Sequence, residues 1–214
     1  MDELSEMQDR LYEGDQDALV ALVRKALDEK VSPEAILRGG LIAGMDRVGK
    51  DFREGTLFVP EVIFSAKAMQ AGMRVLKPVL GNHAVKSLGR VVIGTVKGDL
   101  HDIGKSLVAI MLEGSGFQVV DLGVDVPADK FVAAVETYQP NLLGMSSLLT
   151  TTMDEMRVVI QALEQAGLRD KVKVIIGGAP ITAGYAKKIG ADGYAANAGG
   201  AVATSKQLLC LPLA

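Results

Sequence analysis

The sequence predicts two domains of different class, an N-terminal all-α four-helix bundle over 1–84 and a C-terminal doubly wound α/β domain with a parallel five-stranded sheet over 88–214. Three observations predict it. Apolar residues recur at offsets of three and four through the first 80 residues almost without interruption. From Arg90 onward, short β-branched runs alternate with helix-length segments. Hydrophobic residues make up 49% of the chain while aromatics make up only 4%, with no Trp, which suits small aliphatic side chains packed between helices and parallel strands. At 214 residues the chain can form one large domain or two small ones, each with a core of its own.

Leu4, Met7 and Leu11 mark the first helix, and Leu19, Leu22, Val23, Ala26 and Leu27 the second. A third starts at Ser32-Pro33, where Ser caps free amides and Pro fits the first turn. It buries Leu37, Leu41, Met45, Val48 and Phe52 on one side, and Gly55 helps to end it. The fourth begins near Pro60 and repeats Val62, Ala66, Met69, Met73 and Leu76. The pattern breaks around Gly81-Asn82-His83, placing a boundary and hinge between 82 and 89. Strands are expected at Val91–Thr95, Val119–Leu122, Leu142–Ser146, Val172–Ile176 and Gly193–Ala195, each followed by a helix. Their successive apolar residues imply burial on both faces, hence a parallel, flavodoxin-like (Rossmann-type) sheet with helices on either side. Ligands of such sheets gather beyond the carboxyl ends of the strands, where strand order reverses.

Composition excludes several functions. With 23 Lys and Arg against 26 Asp and Glu, the net charge of −3 has the wrong sign for phosphate neutralisation, so no nucleic-acid partner is expected. A single cysteine, Cys210, rules out an intramolecular disulfide and reads as a small core residue. No run of about 20 apolar residues suggests a bilayer span, and MDELSEMQDR does not resemble a signal peptide, so a cytoplasmic protein without a membrane partner is expected. Of the two histidines, His83 falls in the expected linker, without a companion at metal-ligand spacing.

The other, His101, lies in the polar, Gly-rich segment that follows the first strand, Gly94 to Ser106, the favoured ligand position. Asp99 and His101 are two apart, so in an extended loop they project to the same side. A carboxylate can then hold one imidazole nitrogen while the other meets a metal. A helix cap by Asp99 or Asp102, with His101 a surface histidine, accounts for the same residues. Phosphate binding by Gly94, Gly98 and Gly104 is a weaker reading: no G-x-G-x-x-G occurs, and Asp99 occupies the first glycine position that a P-loop ending in Gly104-Lys105-Ser106 needs.

GDLHDIG resembles the D-x-H-x-x-G signature of cobalamin-binding domains, and Ser146-Ser147-Leu148 after the third strand and Gly177-Gly178 after the fourth fall in register with it. The upstream helices are similar to the cap bundle of methionine synthase and of free-standing methyltransferase corrinoid proteins, through Met45-Asp46-Arg47-Val48-Gly49, Phe52, Gly55, Phe58, Pro60, Glu61 and Ser65-Ala66. The resemblance covers nearly the whole chain. It implies a cobalamin cofactor bound base-off/His-on, with His101 as the lower ligand of cobalt, Asp99 on the other ring nitrogen and Thr152 as the third member of a proton relay. By the same resemblance Asp102, Ile103, Gly104, Ser146, Leu148, Thr150, Gly177 and Gly178 contact the cofactor and its buried tail. Phe52 and Val59 supply apolar cover to the upper face, although periodicity alone makes Phe52 ordinary bundle core and Gly-Gly an ordinary turn.

The implied function is to carry a methyl group on cobalt from a substrate-specific methyltransferase to a second one, whose acceptor is tetrahydrofolate or coenzyme M. The chain leaves room for no substrate barrel, so it is expected to be a non-autonomous subunit of a methyltransferase system, served also by a reductive activation protein. A cobalamin sensor or storage module without methyl transfer is the alternative, and a nucleotide-binding flavodoxin-like protein a third reading.

Overall fold

The computed structural model describes residues 3–80 and 87–212. They fall into two compact units, a helical one up to Ser87, with which Gly114–Gly116 group, and an α/β one over Leu88–Glu113 and from Phe117 onward. The expected break at Gly81-Asn82-His83, and residues 82–86 of the expected hinge, lie outside the described residues.

The helical unit opens with α1 (Glu3–Tyr12) and α2 (Gln16–Asp28). Asp15 caps α2 by accepting from the Ala18 amide at 3.0 Å. Ser32 does the same for the next helix, accepting from Ala35 at 3.2 Å ahead of Pro33 in the first turn. That helix is not uniformly α. A short α-turn, α3 (Pro33–Ala35), leads into a π-helical stretch over Ile36–Ile42 and then α4 (Ala43–Arg53). Through both stretches Ile36 and Leu37, Gly40 and Leu41, Gly44 and Met45, then Val48 and Gly49 are buried at a strict repeat of four. Gly40 permits the close approach of α1, since a Cβ there would lie 2.9 Å from the Met7 sulfur.

Gly55, at φ +76°, ends α4 in a Schellman motif, with Thr56 N–H bonded to Asp51 C=O at 2.9 Å and Gly55 N–H to Phe52 C=O at 3.3 Å. The last bundle helix, α5 (Val59–Leu80), starts with the Glu61 carboxylate accepting from the Phe58 amide at 3.0 Å. It buries Val62, Ser65, Ala66, Met69 and Leu76.

In the α/β unit, β1 (Arg90–Thr95), β2 (Gln118–Asp121), β3 (Leu142–Ser146), β4 (Lys173–Gly177) and β5 (Gly193–Ala195) form one sheet in the order β2-β1-β3-β4-β5. Every pairing is parallel. The helices are α6 (Ile103–Gly114), α7 (Ala128–Tyr138), α8 (Glu155–Gln165), α9 (Ala183–Ile189) and α10 (Ala198–Leu208). Val92, Leu143, Met145, Val174 and Ile176 point to one face and form a core with Phe131, Val135, Met156, Ile160 and Leu163 of α7 and α8. Val91, Ile93, Leu142 and Ile175 alternate to the other face and are equally buried. Successive burial holds for the inner strands, whereas β2 is an edge strand whose Val119 and Val120 are half-buried. Cys210 corrects an expectation: it is exposed, in a left-handed conformation (φ +55°) just beyond α10, where no core remains to receive it.

Candidate functional site

The order β2-β1-β3 reverses direction between β1 and β3, and the loops leaving the carboxyl ends of those two strands carry the polar residues singled out above. Register brings Thr95, Ser146 and Gly177 side by side at that edge. Beyond it, Val96 N–H bonds to Ser146 C=O at 3.1 Å, and Gly98 turns the chain at φ +78°. The Gly98 amide donates to Asp125 Oδ1 at 2.7 Å, and Asp125 N–H returns to the Asp99 carbonyl at 3.0 Å. The segment 96–99 is therefore held from both sides.

Asp99 is fully buried at the centre of this arrangement. Its Oδ1 accepts from the His101 amide at 3.1 Å and lies 2.7 Å from His101 Nδ1. Its Oδ2 accepts from the Leu148 amide at 2.7 Å and from the Thr152 hydroxyl at 2.9 Å, with the Leu149 amide at 3.3 Å. Burial pushes the Asp99 carboxyl up. The amide and imidazole of His101, the Leu148 amide and the Thr152 hydroxyl outweigh it, holding the group well below the usual carboxylate range. An ionised carboxylate has no proton to give, so Nδ1 is the donor, and the tautomer this selects carries its lone pair on Nε2.

The His101 side chain is 50% exposed while its partner is fully buried. Its backbone is fixed as well, because the buried Thr95 hydroxyl donates to the His101 carbonyl at 3.0 Å. This is one imidazole nitrogen presented outward on a rigid mount. Among the described residues no group of three or more His, Cys, Asp or Glu could hold a bare ion. His101 as a single ligand suits a metal that brings most of its own ligands, as a macrocycle-bound metal does. The surroundings suit one: Leu100, Ile103, Leu148 and Leu149, on the same two loops, are exposed large apolar side chains, Ile103 at 78%. A Cβ added at Gly104 would meet nothing within 4 Å. The residues present fit a cobalt corrinoid.

The structure thus joins His101 and Thr152 through the two oxygens of Asp99, with the Leu148 amide on the Thr152 side. Asp102, Ile103 and Gly104 lie exposed at the start of α6, and Thr150 is exposed on the loop after β3. Ser146 is half-buried at the end of β3. Gly177 and Gly178 have a structural requirement of their own: a Cβ at Gly177 would lie 2.8 Å from the Ala195 carbonyl oxygen, and one at Gly178 (φ +129°) 1.8 Å from that of Ser147. Phe52 and Val59 belong to the helical unit. Phe52 is half-buried rather than core, since α4 is ending there, and Val59 is exposed at the first position of α5. The sequence assigns no role to Thr95 or Asp125, nor to Ser147 although it stands inside the Ser146-Ser147-Leu148 match. The alternation of β1 places Thr95 beside the buried core, but nothing in the sequence says what its hydroxyl bonds.

Residues 89–203 match the B12 binding domain family, and residues 4–77 match a second family also described as a B12 binding domain. The chain is 47% identical over 207 residues to dimethylamine corrinoid protein 2 of Methanosarcina mazei, with 96% of each chain covered. A crystal structure of a cobalamin-binding protein from Desulfitobacterium hafniense is 35% identical and superposes with a TM-score of 0.82, covering 96% of this chain and 98% of that one. The methanol:cobalamin methyltransferase complex of Methanosarcina barkeri contains a chain that is 31% identical with a TM-score of 0.86, over 99% of this chain and 81% of that one. A buried carboxylate steering one histidine at the switch point of a parallel sheet, and likeness along nearly the full length of both units, lead to one conclusion: the chain belongs to the cobalamin-binding corrinoid proteins.

Proposed function

We propose that this protein carries a methyl group between a substrate-specific methyltransferase and a second methyltransferase that delivers it to tetrahydrofolate or coenzyme M, with a reductive activation protein as a third partner. One observation carries the reading: a buried, ionised Asp99 holds Nδ1 of a half-exposed His101 at 2.7 Å, which leaves Nε2 as the ligand nitrogen. Bound cobalamin supplies a cobalt centre that can accept and release a methyl group.

The chain's own residues would hold that centre and tune it. Asp99 orients the ring and, by accepting from Nδ1, raises the basicity of Nε2. Thr152 withdraws part of the Asp99 charge through its 2.9 Å hydrogen bond, so a change at the hydroxyl is felt at the imidazole two bonds away. We assign Ile103, Gly104 and Leu148 to contact with the corrin, Ser146, Thr150, Gly177 and Gly178 to the tail, Asp102 to the loop edge, and Phe52 and Val59 to apolar cover. The dimethylamine relative makes a methylated amine the first donor to test.

The experiment compares wild type with His101→Ala after loading each with methylcobalamin. The expected result is a base-off, histidine-ligated absorption spectrum in wild type that is lost in the variant, together with methyl uptake by an added acceptor methyltransferase. Identical spectra from the two proteins would overturn the reading, and loading without transfer would point to storage instead.

A further inference from the structure

Two hydroxyls, not one, are buried behind Asp99. Ser147 is fully buried, and its amide donates to the Gly177 carbonyl at 3.2 Å, extending the β3–β4 ladder one residue past Ser146. Its Oγ lies 2.9 Å from Thr152 Oγ1, 3.3 Å from Asp99 Oδ2 and 3.2 Å from the Leu149 carbonyl. Thr152 Oγ1 lies 2.9 Å from Asp99 Oδ2 and 3.2 Å from the same Leu149 carbonyl. Each hydroxyl has one proton to place, and the acceptors can be counted.

The Leu149 carbonyl already accepts from the Thr152 amide at 3.2 Å and the Met153 amide at 3.1 Å, which uses both of its lone pairs. Asp99 Oδ1 is taken by the amide and Nδ1 of His101, and Oδ2 by the Leu148 amide at 2.7 Å, with the Leu149 amide a longer and weaker donor to it at 3.3 Å. One strong place remains on Oδ2, and Thr152 is the nearer of the two hydroxyls to it. The Ser147 proton is then left with a single short acceptor, the Thr152 oxygen.

We infer that Ser147 donates to Thr152 and Thr152 to Asp99, so that Ser147 is a positioning residue that fixes the direction of the hydroxyl facing the Asp99–His101 pair. Its meaning for cobalt rests on the function proposed above, whereas the direction of the hydrogen bonds belongs to the protein itself. A donor into the Thr152 oxygen polarises that hydroxyl and strengthens its bond to Asp99. Less carboxylate charge is then left for Nδ1–H. Without Ser147 the Thr152 proton is free to rotate away, and Asp99 accepts more strongly from His101.

The test uses the cofactor-free protein with 15N-labelled histidine, reading the His101 ring nitrogens through the non-exchanging ring C–H protons and assigning them with His101→Ala. Ser147→Ala is expected to move Nδ1 downfield, Thr152→Val to move it further the same way, and Ser147→Ala to add nothing in the Thr152→Val background. An unmoved Nδ1 in Ser147→Ala, or an equal shift in both backgrounds, overturns the inference. If the alanine variant does not fold, Ser147→Cys, of similar size but a weak donor, is held to the same outcomes. Failure of the cofactor reading would appear separately, as corrinoid spectra indifferent to His101, and would leave this result standing.

Discussion

Asp99 joins two loops that are about 50 residues apart in sequence through its bonds to His101, Leu148 and Thr152. Its folded carboxyl titrates below the unfolded value of about 3.9, so its contribution is fully present above that pH and is lost as pH falls through the depressed folded value. Asp99→Asn is expected to be less stable than wild type at pH 6, and the gap should narrow at pH 3, as measured by denaturant unfolding at each pH. A gap independent of pH would mean that the charge of Asp99 contributes nothing. The D-x-H spacing puts Asp99 and His101 on a common side of an extended chain but fits a capping carboxylate and a surface histidine equally well, and it is the resemblance to cobalamin-binding domains that singles the pair out. Neither gives a role to Ser147, whose importance depends on the Leu149 carbonyl being already occupied, a matter of tertiary geometry.

Glycines make a parallel division among the elements. Gly178 follows β4 where the Ser147 backbone passes, and Gly178→Ala is expected to cost about 3 kcal/mol or more, through both its φ of +129° and the 1.8 Å approach to the Ser147 oxygen. Gly104, in the first turn of α6, faces open space. Gly104→Ala is expected to leave the cofactor-free protein as stable, or more stable by up to about 1 kcal/mol, while weakening corrinoid uptake. Thermal melts with and without corrinoid check both, and a Gly104→Ala variant that binds normally would remove that residue from the site. Strand positions were legible from β-branched runs, and Ser32-Pro33 and Gly55 marked helix ends by their own chemistry. The π-helical stretch is not legible in the sequence, because the same repeat of four runs through Ile36–Ile42 and through the α-helical residues after it.

At the scale of the whole molecule, the sequence separated a helical unit from an α/β unit through a change of period, and the switch point followed from strand order. Cys210 was misjudged because an apolar neighbourhood in sequence does not guarantee a core at the end of the last helix. Among the described residues no helix is long and apolar enough to cross a membrane. The helical unit keeps Phe58 and Phe64 exposed alongside Val59, so apolar surface is present in both units. The central claim is that a protein imidazole, not the cofactor's own base, completes the cobalt coordination. Electron paramagnetic resonance of the Co(II) corrinoid bound to protein made with 15N-histidine tests it most directly. A nitrogen splitting that changes from a triplet to a doublet on labelling, and vanishes in His101→Ala, is expected; a triplet unaffected by the label would contradict it.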